Sequence, residues 1–354
     1  MNNISKISES LKAAGLDAIL ITDHYNRFFA TGFSSSDGVL FATADKAWFF
    51  TDSRYEEAAQ NLISNAEVRL VTRDKTYSKQ ISEIITEGKI EKIGFEEDNI
   101  TYSEYLDWDK KLSVGLCPAQ ELLNGLRAVK SQEDLEHMIA VQRISEKAFE
   151  EILPLISDKI TEKELAAELI YRLMKNGADD KSFDPIVVSG ERSSMPHGVP
   201  TNQKIKKGFL TIDFGARLNG WCSDTTRTVS VGTPTDEMKK VYDTVLEAQL
   251  AGIAAATAGV KGCDVDGAAR SVIEKAGYGK YFGHGFGHGL GLQVHESPNA
   301  APSAEKELPV GAVISAEPGI YLPGSFGVRI EDVIYITAGD AVNITNLSQK
   351  LLVL

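Results

Sequence analysis

Phe209-Leu210-Thr211-Ile212-Asp213-Phe214-Gly215 and Trp221-Cys222-Ser223-Asp224-Thr225-Thr226-Arg227-Thr228-Val229 flank the dipeptide Asn219-Gly220. Both runs read as strands, and Asn-Gly between alternating apolar residues is the strongest short hairpin signal. With Asn219-Gly220 as the two-residue turn, Asp213 faces Thr226. Asp224, two residues from Thr226, then points to the same side. The two carboxylates become diagonal neighbours within reach of a shared ion. Anions placed this way repel each other, and a cation is the simplest compensation. A solvent-facing pair of aspartates is the plainer alternative.

Two glutamates repeat the theme further along. Glu317 ends Val313-Ile314-Ser315-Ala316, and Glu331 sits within Gly327-Val328-Arg329-Ile330-Glu331-Asp332-Val333-Ile334. An acid in an otherwise apolar strand is rare unless it is paired or bound to metal. Arg329 shares strand parity with Glu331, so an ion pair between them is the competing structural account. Between these segments lies Gly283-His284-Gly285-Phe286-Gly287-His288-Gly289-Leu290-Gly291-Leu292-Gln293-Val294-His295-Glu296, which holds three of the six histidines among five glycines. Glycine lets backbone and ligands approach closely. The stretch is not GxGxxG, and neither GxxxxGK[ST] nor HExxH occurs, which disfavours phosphate-loop and single-zinc protease designs. His197, in Met195-Pro196-His197-Gly198-Val199-Pro200, is a loop histidine that fits either function or solvent exposure. His137 reads as a helix-surface residue, and His24 has no clear reading.

At 354 residues, two domains are expected. A hydrophobic fraction of 43% and a charged fraction of 25% allow a sizeable core. The net charge of -13 argues against nucleic-acid or anionic-membrane partners. Cys117, Cys222 and Cys263 form neither a disulfide framework nor a CxxC site. The N-terminus lacks a signal-peptide pattern, and no apolar run approaches the ~20 residues of a membrane span, so a cytoplasmic location is expected.

The N-terminal part alternates strands (Ala18 to Ile21, Val39 to Ala42, Ala47 to Thr51, Val68 to Val71, Lys92 to Phe95) with helices near Ile4 to Leu11, Arg54 to Ala66 and Tyr77 to Glu87. Ser131 with Asp134, and Thr161 with Glu164, read as capping boxes opening two helices, the second ending near Gly177. Further helices are expected over Glu237 to Ala256 and Val265 to Ala276.

The ordered set Asp213, Asp224, His288, Glu317 and Glu331 resembles the ligand pattern of the pita-bread metallopeptidases, which include methionine aminopeptidase, aminopeptidase P and prolidase. Local words agree: Ser182-Phe183-Asp184, Pro196-His197-Gly198, Thr211-Ile212-Asp213-Phe214-Gly215, Ser223-Asp224-Thr225-Thr226-Arg227-Thr228, Gly287-His288-Gly289-Leu290-Gly291, Ala316-Glu317-Pro318-Gly319-Ile320-Tyr321 and Val328-Arg329-Ile330-Glu331-Asp332. Asn26 to Gly32, Thr51-Asp52-Ser53-Arg54-Tyr55 and Ile93-Gly94-Phe95-Glu96 are similar to the creatinase-type N-terminal domain. The whole resembles the short bacterial Xaa-Pro peptidases. The fold class this implies is α/β (α+β), with a small α/β creatinase-type domain over residues 1–127 and a pita-bread catalytic domain over 128–354.

The resemblance implies dinuclear, metal-dependent hydrolysis of an N-terminal Xaa-Pro bond, as dipeptidase or aminopeptidase. Two divalent ions are implied, manganese or cobalt first, with zinc or iron tolerated by such a donor set. Asp224 and Glu331 would bridge them, Asp213 would hold one, and His288 with Glu317 the other. Glu317 would also shuttle a proton, and His197 and His295 would stabilise the tetrahedral intermediate. His284, Tyr321 and Arg329 would support the site or the substrate. Asn299 stands where some prolidases carry an arginine for the dipeptide's free carboxylate, which leaves room for longer peptides. Short proline-containing peptides and a homodimer are the expected partners. Creatinase-like, metal-free amidine hydrolysis and a non-catalytic pita-bread scaffold are the alternatives.

Overall fold

The computed structural model describes residues 3–354, and the chain divides into two compact units, Met1–Arg127 and Ala128–Leu354. The first unit is built on a six-stranded mixed sheet in the order Glu67–Leu70, Ala47–Thr51, Val39–Thr43, Ala18–Ile21, Lys92–Phe95, Gly115–Pro118. Ala18–Ile21 is buried along its whole length, as a strand covered on both faces must be, which explains its unbroken apolar run. It pairs antiparallel with Val39–Thr43 and parallel with Lys92–Phe95. Ile7 and Leu11 of helix Ile4–Ala13 are fully buried. Leu20, Phe41, Phe50, Ile81 and Ile93 share one apolar core.

Most expected elements of this unit are present, with shifted ends. The helix expected over Arg54 to Ala66 spans only Glu56–Leu62. Three helices escaped the periodicity reading, among them Gln120–Ala128. Helix His24–Thr31 begins at Asp23, whose side chain accepts the Asn26 backbone N–H. Helix Tyr102–Leu112 begins at a capping box between Thr101 and Glu104.

In the second unit, Ser131 and Thr161 cap helices Gln132–Ile152 and Glu162–Lys175 through reciprocal capping boxes with Asp134 and Glu164. Helices Asp236–Ala255 and Gly262–Lys275 follow. Val241, Tyr242, Val245 and Ala248 of the former pack into a core with Phe209, Phe286, Ile314, Ile320 and Val328. Truncating the fully buried Phe209 to Ala should cost about 3–5 kcal/mol. Among the described residues no helix is long and apolar enough to cross a membrane.

The hairpin forms in the expected register: Asp213 opposes Thr226, and Leu218 opposes Trp221. Asn219 and Gly220 both take positive φ, 49° and 83°, as a type I′ turn requires. The ladder is nevertheless broken. Gly208–Phe214 and Thr225–Val231 belong to one sheet with Ile186–Ser189, whereas Ala216–Leu218 and Trp221–Cys222 belong to another with Asp180–Lys181. Gly215 lies at the break, where a Cβ would come within 2.0 Å of the Ser223 carbonyl oxygen and 2.1 Å of Ser182 Oγ.

Two more breaks follow the same pattern. Glu317 lies between Val313–Ala316, in a five-stranded sheet, and Gly319–Leu322, in a two-stranded ribbon. Glu331 lies between Phe326–Arg329 of the ribbon and Asp332–Tyr335 of the five-stranded sheet. Continuous strands were expected at both glutamates and at Asp224. The fold instead places these three acids where the chain leaves one sheet for another.

Candidate metal centre

A strand break frees a residue from the strict alternation of a ladder, so its side chain can converge with others from distant segments. Asp224, His288 and Glu331 each bring one ligand atom within 4.8 Å of the others. His288 comes from the short strand Gly287–Gly289. Its Nε2 lies 3.1 Å from Glu317 Oε1 and 3.7 Å from Asp224 Oδ2. Ser315 fixes this pair: its hydroxyl accepts the His288 backbone N–H at 3.0 Å and donates to Glu317 Oε1 at 3.0 Å.

Asp213 enters from the other side. Arg329 Nη2 donates to Asp213 Oδ2 at 2.7 Å, Nη1 to the Tyr321 hydroxyl at 2.9 Å, and Nε to Thr226 Oγ1 at 2.9 Å. Thr226 in turn donates to Glu331 Oε2 at 2.7 Å. The strand-parity pairing of Arg329 with Glu331 is therefore replaced by a pairing with Asp213. His284 Nε2 lies 2.9 Å from the Tyr321 hydroxyl, so His284, Tyr321, Arg329 and Asp213 form one chain of polar contacts.

The electrostatics are strained. Burial, then the charges of neighbouring acids, hold Asp224 and Glu331 well above the ordinary carboxylate range. Burial also raises Asp213, against the pull of Arg329. Desolvation acts on the partly buried Glu317 too, yet the hydrogen bond and charge of His288 bring it down to about 2. His288 answers in kind: burial disfavours its charge, but Glu317 outweighs that and raises it. Burial lowers His284 and His295, with the charge of Glu317 acting against it in both.

Two buried acid oxygens, Asp213 Oδ1 and Glu331 Oε1, have no hydrogen-bond partner. An orphaned buried oxygen of an ionised acid costs more than a neutral one. Four carboxylates and an imidazole against the single permanent cation of Arg329 leave excess negative charge in a desolvated place. A hard divalent cation suits that donor set, because carboxylate oxygens and imidazole nitrogen are ligands that manganese, cobalt, zinc or iron accept.

The remaining candidates are placed less centrally. The His295 ring meets the His288 ring edge to face, with centroids 4.1 Å apart. His197 is exposed on the loop after Ile186–Ser189. Fully buried Glu162 ties both ends of that loop: Oε1 accepts the Ser189 N–H at 2.9 Å, and Oε2 accepts the Thr201 hydroxyl at 2.8 Å. Asn299 is exposed on strand Glu296–Ala300, and no hydrogen bond among the described residues joins it to the acids. Sequence reasoning missed Ser315 and the connecting role of Thr226. Thr226 was already marked as the residue opposite Asp213, and Ser315 has the strand parity of Glu317.

Comparisons with known proteins show the family. The profile of metallopeptidase family M24 matches residues 136–338, and that of the creatinase/prolidase N-terminal domain matches residues 3–129. A solved Xaa-Pro dipeptidase from Bacillus anthracis superposes with a TM-score of 0.95 at 38% identity, covering 99% of each chain. An X-Pro aminopeptidase from Thermotoga maritima superposes at 0.90 with 34% identity, covering 98% of this chain and 100% of that one. An Xaa-Pro dipeptidase from Pyrococcus horikoshii is 34% identical over 99% of this chain and 98% of its own. A mixed α/β chain with a creatinase/prolidase-type N-terminal domain ahead of its catalytic domain, this protein belongs to metallopeptidase family M24.

Proposed function

We propose that this enzyme hydrolyses the peptide bond between an N-terminal residue and a following proline, in dipeptides or short peptides, with two divalent metal ions held by Asp213, Asp224, His288, Glu317 and Glu331. The supporting observation is the four-acid cluster, with Asp224 and Glu331 buried and unpartnered buried oxygens at Asp213 and Glu331. The relatives of both names, dipeptidase and aminopeptidase, support the substrate class. Retention of all five ligand-type residues favours this reading over a metal-free amidine hydrolase or a non-catalytic scaffold. We place the domain boundary between residues 127 and 128, and we read the protein as a cytoplasmic homodimer.

Bound divalent ions would polarise the scissile carbonyl and acidify the attacking water. The protein's own groups supply the rest. An imidazole that ligates metal must be neutral. Glu317, oriented by the Ser315 hydroxyl, is the carboxylate placed to take the water proton and deliver it to the proline nitrogen. His295 is partly desolvated, which lowers its pKa and favours the neutral ring, whose N–H would donate to the developing oxyanion. Arg329 holds Asp213 on one side while Ser315 orients Glu317 on the other. A prolyl bond has no N–H and a fixed ring, so the leaving nitrogen depends on Glu317 for its only proton.

The test is metal-depleted protein reloaded with manganese and given Ala-Pro, Ala-Pro-Ala and Ala-Ala-Ala. Cleavage of Ala-Pro alone makes it a dipeptidase, and preference for Ala-Pro-Ala makes it an aminopeptidase. Inertness toward both proline peptides overturns the substrate assignment. Light scattering on the eluting protein tests the dimer, and an active monomer refutes it.

A further inference from the structure

Three residues into the second unit, Lys130 buries its ammonium group against Glu296. The two side chains are 1% and 6% exposed, and Nζ lies 2.7 Å from Glu296 Oε1. A buried ion pair is weak evidence for stability, because desolvation offsets much of the attraction. What it supplies is a fixed geometry, and here the fixed object is the segment carrying His295. Glu296 Oε2 accepts the Gln293 backbone N–H at 3.3 Å. Gly291 packs so close that a Cβ there would lie 2.3 Å from Glu296 Oε1. The Gly291 N–H donates to the Gln293 carbonyl at 3.0 Å, and its own carbonyl accepts the Cys222 N–H at 2.8 Å.

Residues 291–296 thus curl around one carboxylate, and Lys130 supplies the charge that carboxylate needs. Glu296 also opposes Gly289 in the strand pair, next to His288. His295, directly before it, is set down with its ring 4.1 Å from that of His288. Lys130 itself is anchored, its backbone N–H donating to the Gly311 carbonyl at 2.8 Å.

We infer that Lys130 is a positioning residue for His295, acting through the carboxylate of Glu296. This rests on the reading of His295 as a donor to the transition state. Displacing a catalytic group by about 1 Å from afar can cost about 10²-fold in turnover. The manganese-loaded Lys130→Met enzyme should lose about that much kcat on a cleaved proline peptide, with KM changed little. Gly291→Ala, which pushes on the same carboxylate from the other side, should give the same pattern. Lys130→Arg should recover part of the loss. The double variant Lys130→Met/Glu296→Gln should be less impaired than Lys130→Met, because the charge that Lys130 balances is removed with it.

An independent readout is the ring-proton NMR spectrum of the six histidines, with the His295 signal assigned by its absence in His295→Gln. That signal should move in both Lys130→Met and Gly291→Ala. An unmoved signal with kcat lowered only in proportion to the folded fraction would leave Lys130 a merely structural residue and overturn the inference. If the wild-type enzyme cuts no proline peptide, the function reading fails separately, and the His295 signal alone decides this one.

Discussion

Glu96 in the first unit and Glu331 in the second are each 1% exposed, yet their surroundings differ in kind. Glu96 Oε2 accepts the N–H groups of Thr22 and Asp23 and the Thr22 hydroxyl, and Oε1 accepts from Asn26. Asn26 is held in turn by Arg127. Glu331 has Thr226 on one oxygen and nothing on the other. Burial raises both groups, but hydrogen bonds pull Glu96 back, whereas the charges of Glu317 and Asp213 push Glu331 further up. Burial alone therefore does not mark a functional acid. The mark is a buried acid whose demands the protein does not meet from its own donors.

The sharpest way to break this comparison is to neutralise each acid. Glu331→Gln should bind less than the wild-type complement of manganese and lose about 10³-fold or more in kcat/KM, since a metal site supplies several kcal/mol of transition-state stabilisation. The same variant, stripped of metal, should melt higher than metal-free wild type, because one repelling charge has gone. A lower melting temperature would mean that Glu331 is satisfied after all. Next in size, His295→Ala should lower kcat by about 10²–10³-fold with metal content unchanged. Unchanged kcat would remove His295 from the chemistry.

How much of this could be read from sequence follows from the range of each interaction. The register of Asp213 against Thr226 was legible because a two-residue turn fixes it locally. The interruptions at Asp224, Glu317 and Glu331 were not, because they are made by packing between sheets, as the Ser223 and Ser182 contacts with Gly215 show. The partner of Arg329 was misjudged for the same reason: strand parity pointed to Glu331, but Asp213, 116 residues away, takes the guanidinium. The cap at Asp23 and the capping box Thr101 to Glu104 were in plain sequence. The first helix is only eight residues long and the second buries only Leu112, so neither offers a long apolar face. Lys130 and Glu296, 166 residues apart, left no local trace.

Glu96→Gln sharpens the comparison from the other side. Gln cannot accept on both oxygens, so Asn26 loses its partner, and the variant should lose about 1–3 kcal/mol of stability. Manganese content and kcat per folded molecule should be retained. A loss of metal in this variant would show that the satisfied acid is not purely structural.

The smallest effect concerns pH, where carboxylates of opposite character pull opposite ways. Asp224 and Glu331 have raised pKa values when folded, so the folded chain binds more protons than the unfolded one between the two sets of values. Metal-free protein should therefore gain stability as pH falls from 8 toward the ordinary carboxylate range of about 4. Asp17 is the counterweight. It is exposed, and the backbone N–H groups of Glu91 and Lys92, each donating at 2.9 Å, hold it below its usual value. Its contribution is present above the unfolded pKa and is lost only as pH falls through the lowered one. Screening by water keeps it small, under about 1 kcal/mol. Melting curves of metal-free protein should rise on mild acidification and turn down only in stronger acid. Glu331→Gln should flatten the rise, Asp17→Asn should soften the downturn, and saturating manganese should abolish the rise. A metal-free wild type that loses stability steadily from pH 8 to 4 would show that its buried acids are already compensated within the chain, as Glu96 is.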